Sequence, residues 1–218
     1  MKLGSTKRYI ACSRVTKRPI FEFISSDIRP NDAVQTFVLE DDYSFGILQS
    51  SFHWEWFKAR CSTLSERFRY TSETIFDSFP WPQWGTLNQT FNVAKTKKTP
   101  LDLAGEVAKA ARDLRNLRNK LTSDNNYSLR KLYTYLELPG NNPLRDAQRK
   151  LDIVVLEAYY FGLPKEMQKI DTLKFLLKLN ELCAQAEETG RTIVGSGLPS
   201  FCEGHFEFFS DDCVRFKE

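Results

Sequence analysis

The sequence predicts an α+β protein: a small β-rich segment with an aromatic helix, followed by a mainly α-helical bundle. Three observations predict it. Up to about residue 95, apolar positions mostly alternate, and β-branched or aromatic residues dominate. Beyond that point apolar residues recur at steps of three and four, the period of one helix face. The two regimes meet at Lys95-Thr-Lys-Lys-Thr-Pro100, a polar, charged connector. The expected division is 1–94 and 95–218.

Taken in order, residues 9–12, 20–24 and 33–39 read as short strands, with Asp27-Ile-Arg-Pro-Asn-Asp32 as a turn between two of them. Residues 50–67 read as a helix opened by a serine pair, with Phe52, Trp56 and Ala59 on one face. Ser78-Phe-Pro-Trp-Pro82 is excluded from regular structure, because two prolines fix φ and push the residues before them extended. It reads as a rigid strap. Thr99 suits an N-cap, Pro100 the first helical position and Asp102 the third. Leu103, Val107, Ala110, Leu114, Leu117 and Leu121 then line one face of a long helix. A short helix is expected over 129–136. Another follows Asn142-Pro143, with Leu144, Ala147, Leu151, Val154 and Ala158 inward and Gly162 as its stop. A last helix is expected over 164–190, with Leu173, Leu176, Leu177, Asn180, Cys183 and Ala184 inward, and an irregular or short-stranded tail over 191–218.

Composition excludes several classes. The 218 residues are 41% hydrophobic and 27% charged, a globular balance, and no apolar run approaches the ~20 residues that a bilayer requires. Five cysteines without framework spacing read as reduced thiols in a cytoplasm. No glycine-rich loop follows a strand, and Gly-x-Ser-x-Gly, His-Glu-x-x-His and paired Cys-x-x-Cys are absent. His53 reads as a packed core residue. Cys202-x-x-His205 with Cys213 offers three metal-type ligands but one isolated pair, so unpaired thiols are the favoured reading. The pairs Asp41-Asp42 and Asp211-Asp212 show no partner ligands. These residues suit a binding module rather than an enzyme.

Charge placement points the same way. The chain sums to +3, yet residues 1–30 hold seven Lys and Arg against two acids. A local basic surface on a near-neutral body suits an anionic partner such as a phosphate backbone. Arg14, Lys17 and Arg18 lie between two expected strands, where a loop projects them; Arg67 and Arg69 flank Phe68.

One run of residues carries a resemblance. Phe45-Gly-Ile-Leu-Gln-Ser-Ser51, His53, Trp56, Arg67-Phe-Arg-Tyr-Thr71 and Phe79-Pro-Trp-Pro82 are followed by Pro139-Gly-x-Asn-Pro-Leu144, Leu151-Asp152, Leu177-x-Leu-Asn180 and Val194-Gly-x-Gly-Leu-Pro199. In this order they resemble the C-terminal part of MmeI-like, type IIL restriction–modification proteins and their adenine-methyltransferase relatives, over nearly all of residues 8–218. The resemblance implies that residues 1–94 form the second part of a target-recognition domain. It implies that 95–218 form the C-terminal helical domain with its irregular tail. It also implies an upstream domain in a longer parent enzyme, binding S-adenosylmethionine and methylating adenine N6, so that the cofactor belongs to the parent and none to this chain.

By position, the resemblance implies base readers at Lys17 and Arg18, at Asp32 and Ala33, and at Ser65 and Arg67. Lys7, Arg8, Arg14 and Arg69 are the expected phosphate contacts. Arg67 suits guanine, because a guanidinium can donate to both N7 and O6. The partners implied are duplex DNA and the upstream methyltransferase domain, in a prokaryotic cytoplasm and with no membrane. A non-catalytic helical docking or oligomerisation module, its basic face merely solvated, is the alternative.

Overall fold

The structure, a computed structural model, describes residues 6–64, 67–87, 97–136 and 138–216, and of Thr63, Leu64 and Arg67 the backbone only. The boundary expected at 94/95 lies outside the described residues. Two three-stranded antiparallel sheets form the first part. In one, β1 (Arg8–Ser13) lies between β3 (Glu22–Ser25) and β4 (Val34–Phe37); in the other, β6 (Arg67–Arg69) lies between β2 (Val15–Thr16) and β5 (Ser62–Leu64). Arg14 is the single residue between β1 and β2, so one extended stretch serves both sheets. Ile10 and Cys12 of β1 join Phe23 and Phe37 in the core, as the alternation predicts.

Behind the sheets lie α1 (Asp42–Gln49) and α2 (Ser51–Arg60). The first was not predicted. All eight of its residues are buried, polar Asp42, Ser44 and Gln49 among them, and so short a helix, about two turns, gives too few residues for a period to be read. Asp41 caps it, accepting from the Ser44 amide at 2.7 Å. A Cβ on Gly46 would stand 2.8 Å from Val107 Cγ1, so this glycine lets α1 approach the helix beyond the connector. The helix expected over 50–67 is corrected: it stops at Arg60, where Cys61 turns extended, and Ser62–Leu64 and Arg67–Arg69 pair as the antiparallel strands β5 and β6 instead. Pairing with β2 overrides local helix propensity here. Phe52 and Trp56 are buried as expected, but Ala59 is exposed.

The helical part comprises α3 (Pro100–Asn125), α4 (Leu129–Leu136), α5 (Pro143–Tyr160) and α6 (Thr172–Glu188). The α3 start is a reciprocal capping box: Thr99 Oγ1 accepts from the Asp102 amide at 3.1 Å, and Asp102 Oδ2 accepts from the Thr99 amide at 2.8 Å. Asn142 caps α5, and Gly162, at φ 73°, ends it in the left-handed region. The last helix starts at Thr172, capped by Asp171, rather than at 164. Leu176, Cys183 and Leu151 are buried. Leu177 is 46% exposed, a correction to the expected inward face, and Ala184 is exposed too. Leu151→Ala is therefore expected to lower unfolding stability by about 2–5 kcal/mol, and Leu177→Ala to stay within about 0.5 kcal/mol. Urea unfolding of the two variants measures the contrast. The tail is irregular, with 3₁₀ turns at Ser200–Cys202 and Phe206–Phe208 and a bridge from Val214 to Ile24.

Buried charge ties the parts together. Asp42, fully buried, accepts from Arg8 Nη2 at 3.2 Å, Arg112 Nη1 at 2.9 Å, Arg115 Nη2 at 2.5 Å and Ser210 Oγ at 2.7 Å. Asp212 receives Arg115 Nε at 2.7 Å and Arg8 Nη1 at 3.3 Å. Burial pushes the Asp212 carboxyl up, but the Arg115 hydrogen bond and charge, Ser210 and Arg8 outweigh it and hold the group well below the usual carboxylate range. A second buried cation, Arg118, donates to Phe21 O at 2.9 Å and pairs with Glu22. One acid of each pair, Asp42 and Asp212, is thus held by arginines, while Asp41 caps α1.

The strap 79–82 is buried throughout. Tyr159 Oη donates to Pro80 O at 2.9 Å, Asn180 Nδ2 to Ser78 O at 2.8 Å, and Gln83 exchanges two 2.9 Å bonds with the Val194 backbone.

His53 sits in the core with no exposed surface, its Nε2 2.9 Å from Tyr70 Oη and Phe21 and Phe79 edge-on to its ring. Burial pushes its pKa down to about 3 from 6.5. The native ring stays neutral, while the unfolded chain takes up a proton below about pH 6.5. Stability is therefore lost as pH falls from 6.5 toward 3, at up to about 1.4 kcal/mol per pH unit. Asp41 opposes this. Burial raises its pKa to about 6, so its native form takes up a proton first and gains stability as pH falls from 6 to about 4. A His53→Leu variant removes only the histidine contribution. Its stability deficit relative to wild type is expected to narrow between pH 7 and pH 5 in urea unfolding.

Candidate nucleic-acid interface

The strand register determines which of the candidate residues meet. Ser13 pairs with Val34, and the Arg14 amide donates to Ala33 O at 2.9 Å. This sets the Asp32–Ala33 turn beside Arg14. Both turn residues are exposed, and Asn31 Oδ1 holds the turn by accepting from the Ala33 amide at 3.1 Å. On the other side, Val15 pairs with Arg69 and Thr16 with Phe68, and the Tyr70 amide donates to Arg14 O at 2.8 Å. Continuing that register by one residue puts Lys17 across from Arg67. Arg67 in turn pairs with Leu64 at the neck of the β5–β6 hairpin.

Three places separated by up to about 50 residues in sequence thus lie along one strand junction. Lys17 and Arg69 are exposed and Arg14 half-buried. Ser65 and the Arg67 side chain lie outside the described residues. An aromatic underlayer fixes the platform: Phe68 meets Phe57 at 5.8 Å, and Phe57 stacks on Tyr70 at 5.5 Å. Beside the Asp32–Ala33 turn runs a groove of about 560 Å³, lined by Ser13, Ile28, Arg29, Asn31 and Val34 among others.

Three candidates are placed elsewhere. Arg8, expected on phosphate, is a correction: it is 4% exposed, its guanidinium engaged by Glu40 O, Asp42 and Asp212. Nothing in the local sequence signals this, because its partners lie more than 30 residues away. Arg18 is half-buried against the rings of Trp54 and Tyr133, on the helical side of the strand junction. Lys7 is exposed at the far end of β1, its amide donating to Glu40 Oε2 at 3.0 Å, away from Arg14. Among the described residues, no three His, Cys, Asp or Glu side chains converge to hold a metal. Cys202 is buried, and His205 lies 3.0 Å from Glu207. No described helix is long and apolar enough to cross a membrane.

Fold and site together define a module that presents loops from a small β platform on a helical support. Residues 10–83 match the family described as MmeI, target recognition domain. A solved structure of the type IIL restriction–modification enzyme MmeI in complex with DNA shares the fold over 85% of this chain, at a TM-score of 0.59 and 21% identity. This chain spans 22% of the length of that one. Among curated proteins no relative matches. The resemblance to MmeI-like proteins is thus borne out over residues 10–83 by the family match and, in fold, over most of the chain.

Proposed function

We propose that this chain is the sequence-reading module of an adenine-N6 DNA methyltransferase of the restriction–modification type. The observation that carries the reading is the convergence at Arg14: Lys17, the 32–33 turn and the backbone of Arg67 lie along one strand junction with Arg14 and Arg69. Contacts to phosphate fix register, while side chains aimed at base edges give specificity. In this division Arg14 and Arg69 hold phosphate, and Lys17, Asp32, Ser65 and Arg67 meet the bases, with Ala33 able to touch a thymine methyl. S-adenosylmethionine and the methyl transfer itself are assigned to the parent's upstream domain, since no glycine-rich loop follows a strand in this sequence.

Arg67→Ala is expected to weaken binding to the preferred duplex by about 1–3 kcal/mol and to relax selection at one base position. Arg69→Ala should weaken binding about equally on all duplexes and flatten the dependence of log K on log salt by about one phosphate contact. Salt-titrated binding on a preferred and a scrambled duplex separates the two. If both variants lose affinity uniformly, Arg67 is a backbone contact and not a reader. A wild-type affinity for DNA that is independent of salt sinks the reading as a whole.

A further inference from the structure

We propose that Arg18 is a positioning residue: clamped between Trp54 and Tyr133, it fixes the loop that presents Lys17, so the helical part sets what that loop reads. This rests on the DNA-reading function above.

The loop is tightly specified. Thr16 Oγ1 donates to Arg18 O at 2.8 Å and accepts from the Arg18 amide at 3.3 Å. Pro19 follows, fixing its own φ and keeping Arg18 in an extended backbone region. The Arg18 guanidinium then lies 5.3 Å from the Trp54 ring and 5.7 Å from the Tyr133 ring. Neither ring is loose. Trp54 stacks on Phe57 at 5.5 Å and meets Phe68 of β6 edge-on at 6.5 Å. Tyr133 of α4 is 4% exposed, and its Oη accepts from the buried Arg118 at 3.3 Å. Asp152 Oδ1 of α5 accepts from the Ser51 amide at 2.8 Å and from Gln148 at 3.1 Å, which fixes the start of the helix that carries Trp54.

A guanidinium held this way on the helical side is badly placed for a base edge. Its neighbour Lys17 is exposed and stands across from Arg67 by register. The contacts therefore run from β6 through Trp54 and Arg18 to α4. They determine where the Lys17 backbone sits without touching DNA. Lysine cannot replace Arg18 here, because it has no planar face to lay on two rings.

The test uses the 218-residue chain and a pool of duplexes randomised over the binding site. Wild type, Lys17→Ala, Arg18→Ala, Arg18→Lys, Tyr133→Leu and the Lys17→Ala/Arg18→Ala double variant are compared, with urea midpoints as the folding control. The expected result is that Arg18→Ala, Arg18→Lys and Tyr133→Leu all relax selection at the base position that Lys17→Ala relaxes. Adding Arg18→Ala to Lys17→Ala should then weaken binding less than about twofold further. Relaxation at a different position, additive with Lys17→Ala, makes Arg18 a reader in its own right and overturns the proposal. So does an unchanged motif with a flatter salt slope, which makes Arg18 a phosphate contact. If Tyr133→Leu fails to fold, the two partly exposed Arg18 variants decide. A wild type that enriches no sequence removes the DNA reading itself, and this inference with it. A wild-type motif that every Arg18 variant keeps removes this inference alone.

Discussion

Asp42→Ala is expected to destabilise the protein by about 3–5 kcal/mol, enough to unfold a marginal domain. The carboxylate has no exposed surface and is shared by Arg8, Arg112 and Arg115. Arg8 and Arg115 are themselves 4% and 1% exposed. Without Asp42 they keep Asp212 as their carboxylate, and its side chain is 31% exposed. An excess of positive charge is then left out of water, and that uncompensated charge, more than the lost attraction, sets the cost. Asp42→Asn retains the shape and should still cost most of the effect. Arg115→Met added to Asp42→Ala should cost much less than the two single changes together, because it removes one of the stranded cations. Urea unfolding of these three variants and of Arg115→Met alone checks this. An Asp42→Ala protein within 1 kcal/mol of wild type would mean that the cluster is hydrated.

Trp56→Ala is expected to cost about 3–5 kcal/mol by a different route. The ring is fully buried beside Phe79, and its Nε1 donates to Ile75 O at 3.1 Å and Ser78 Oγ at 3.3 Å. Those acceptors belong to the π-helical turn Ser72–Phe76 and to the residue before the strap. Truncation leaves a large cavity and strips a buried carbonyl of a donor. Trp56→Phe keeps part of the packing but loses the N–H and the volume of the second ring, so about 1–3 kcal/mol is expected. Because that turn follows Tyr70 at the end of β6, Trp56→Ala should also weaken DNA binding more than its exposed neighbour Lys58→Ala does.

The legible parts of this fold are those whose periodicity is local. Strand alternation in β3 and β4, the capping box at Thr99, the Asn142-Pro143 start and the Gly162 stop all follow from short-range chemistry. Helix α1 was hidden because it is only eight residues long and mixes buried Asp42, Ser44 and Gln49 with its apolar residues, too short a run to display a period. The paired strands β5 and β6 were hidden because each is three residues long and β6 is held by β2, more than fifty residues earlier. The sign of a charge is equally mute about its burial. Arg8, Arg115 and Arg118 look like surface cations, yet their acidic partners sit 34, 73 and 96 residues away.

The motif residues behind the resemblance turn out to be joints. Gly46 lets α1 meet α3, Gln49 Oε1 accepts from the Phe21 amide at 3.2 Å, Asp152 holds the α2 start, and Asn180 and Val194 hold the strap segment. They report the family through its architecture. The candidate readers themselves carry no signal of that kind. Their convergence follows only from the register through Arg14.

The most direct test of the account is selection by this chain from a pool of randomised duplexes, followed by sequencing of what is retained at two salt concentrations. The prediction is a short enriched motif whose information survives higher salt while total retention falls steeply. Retention that falls with salt but enriches no motif would contradict the account, leaving a basic surface that holds DNA without reading it.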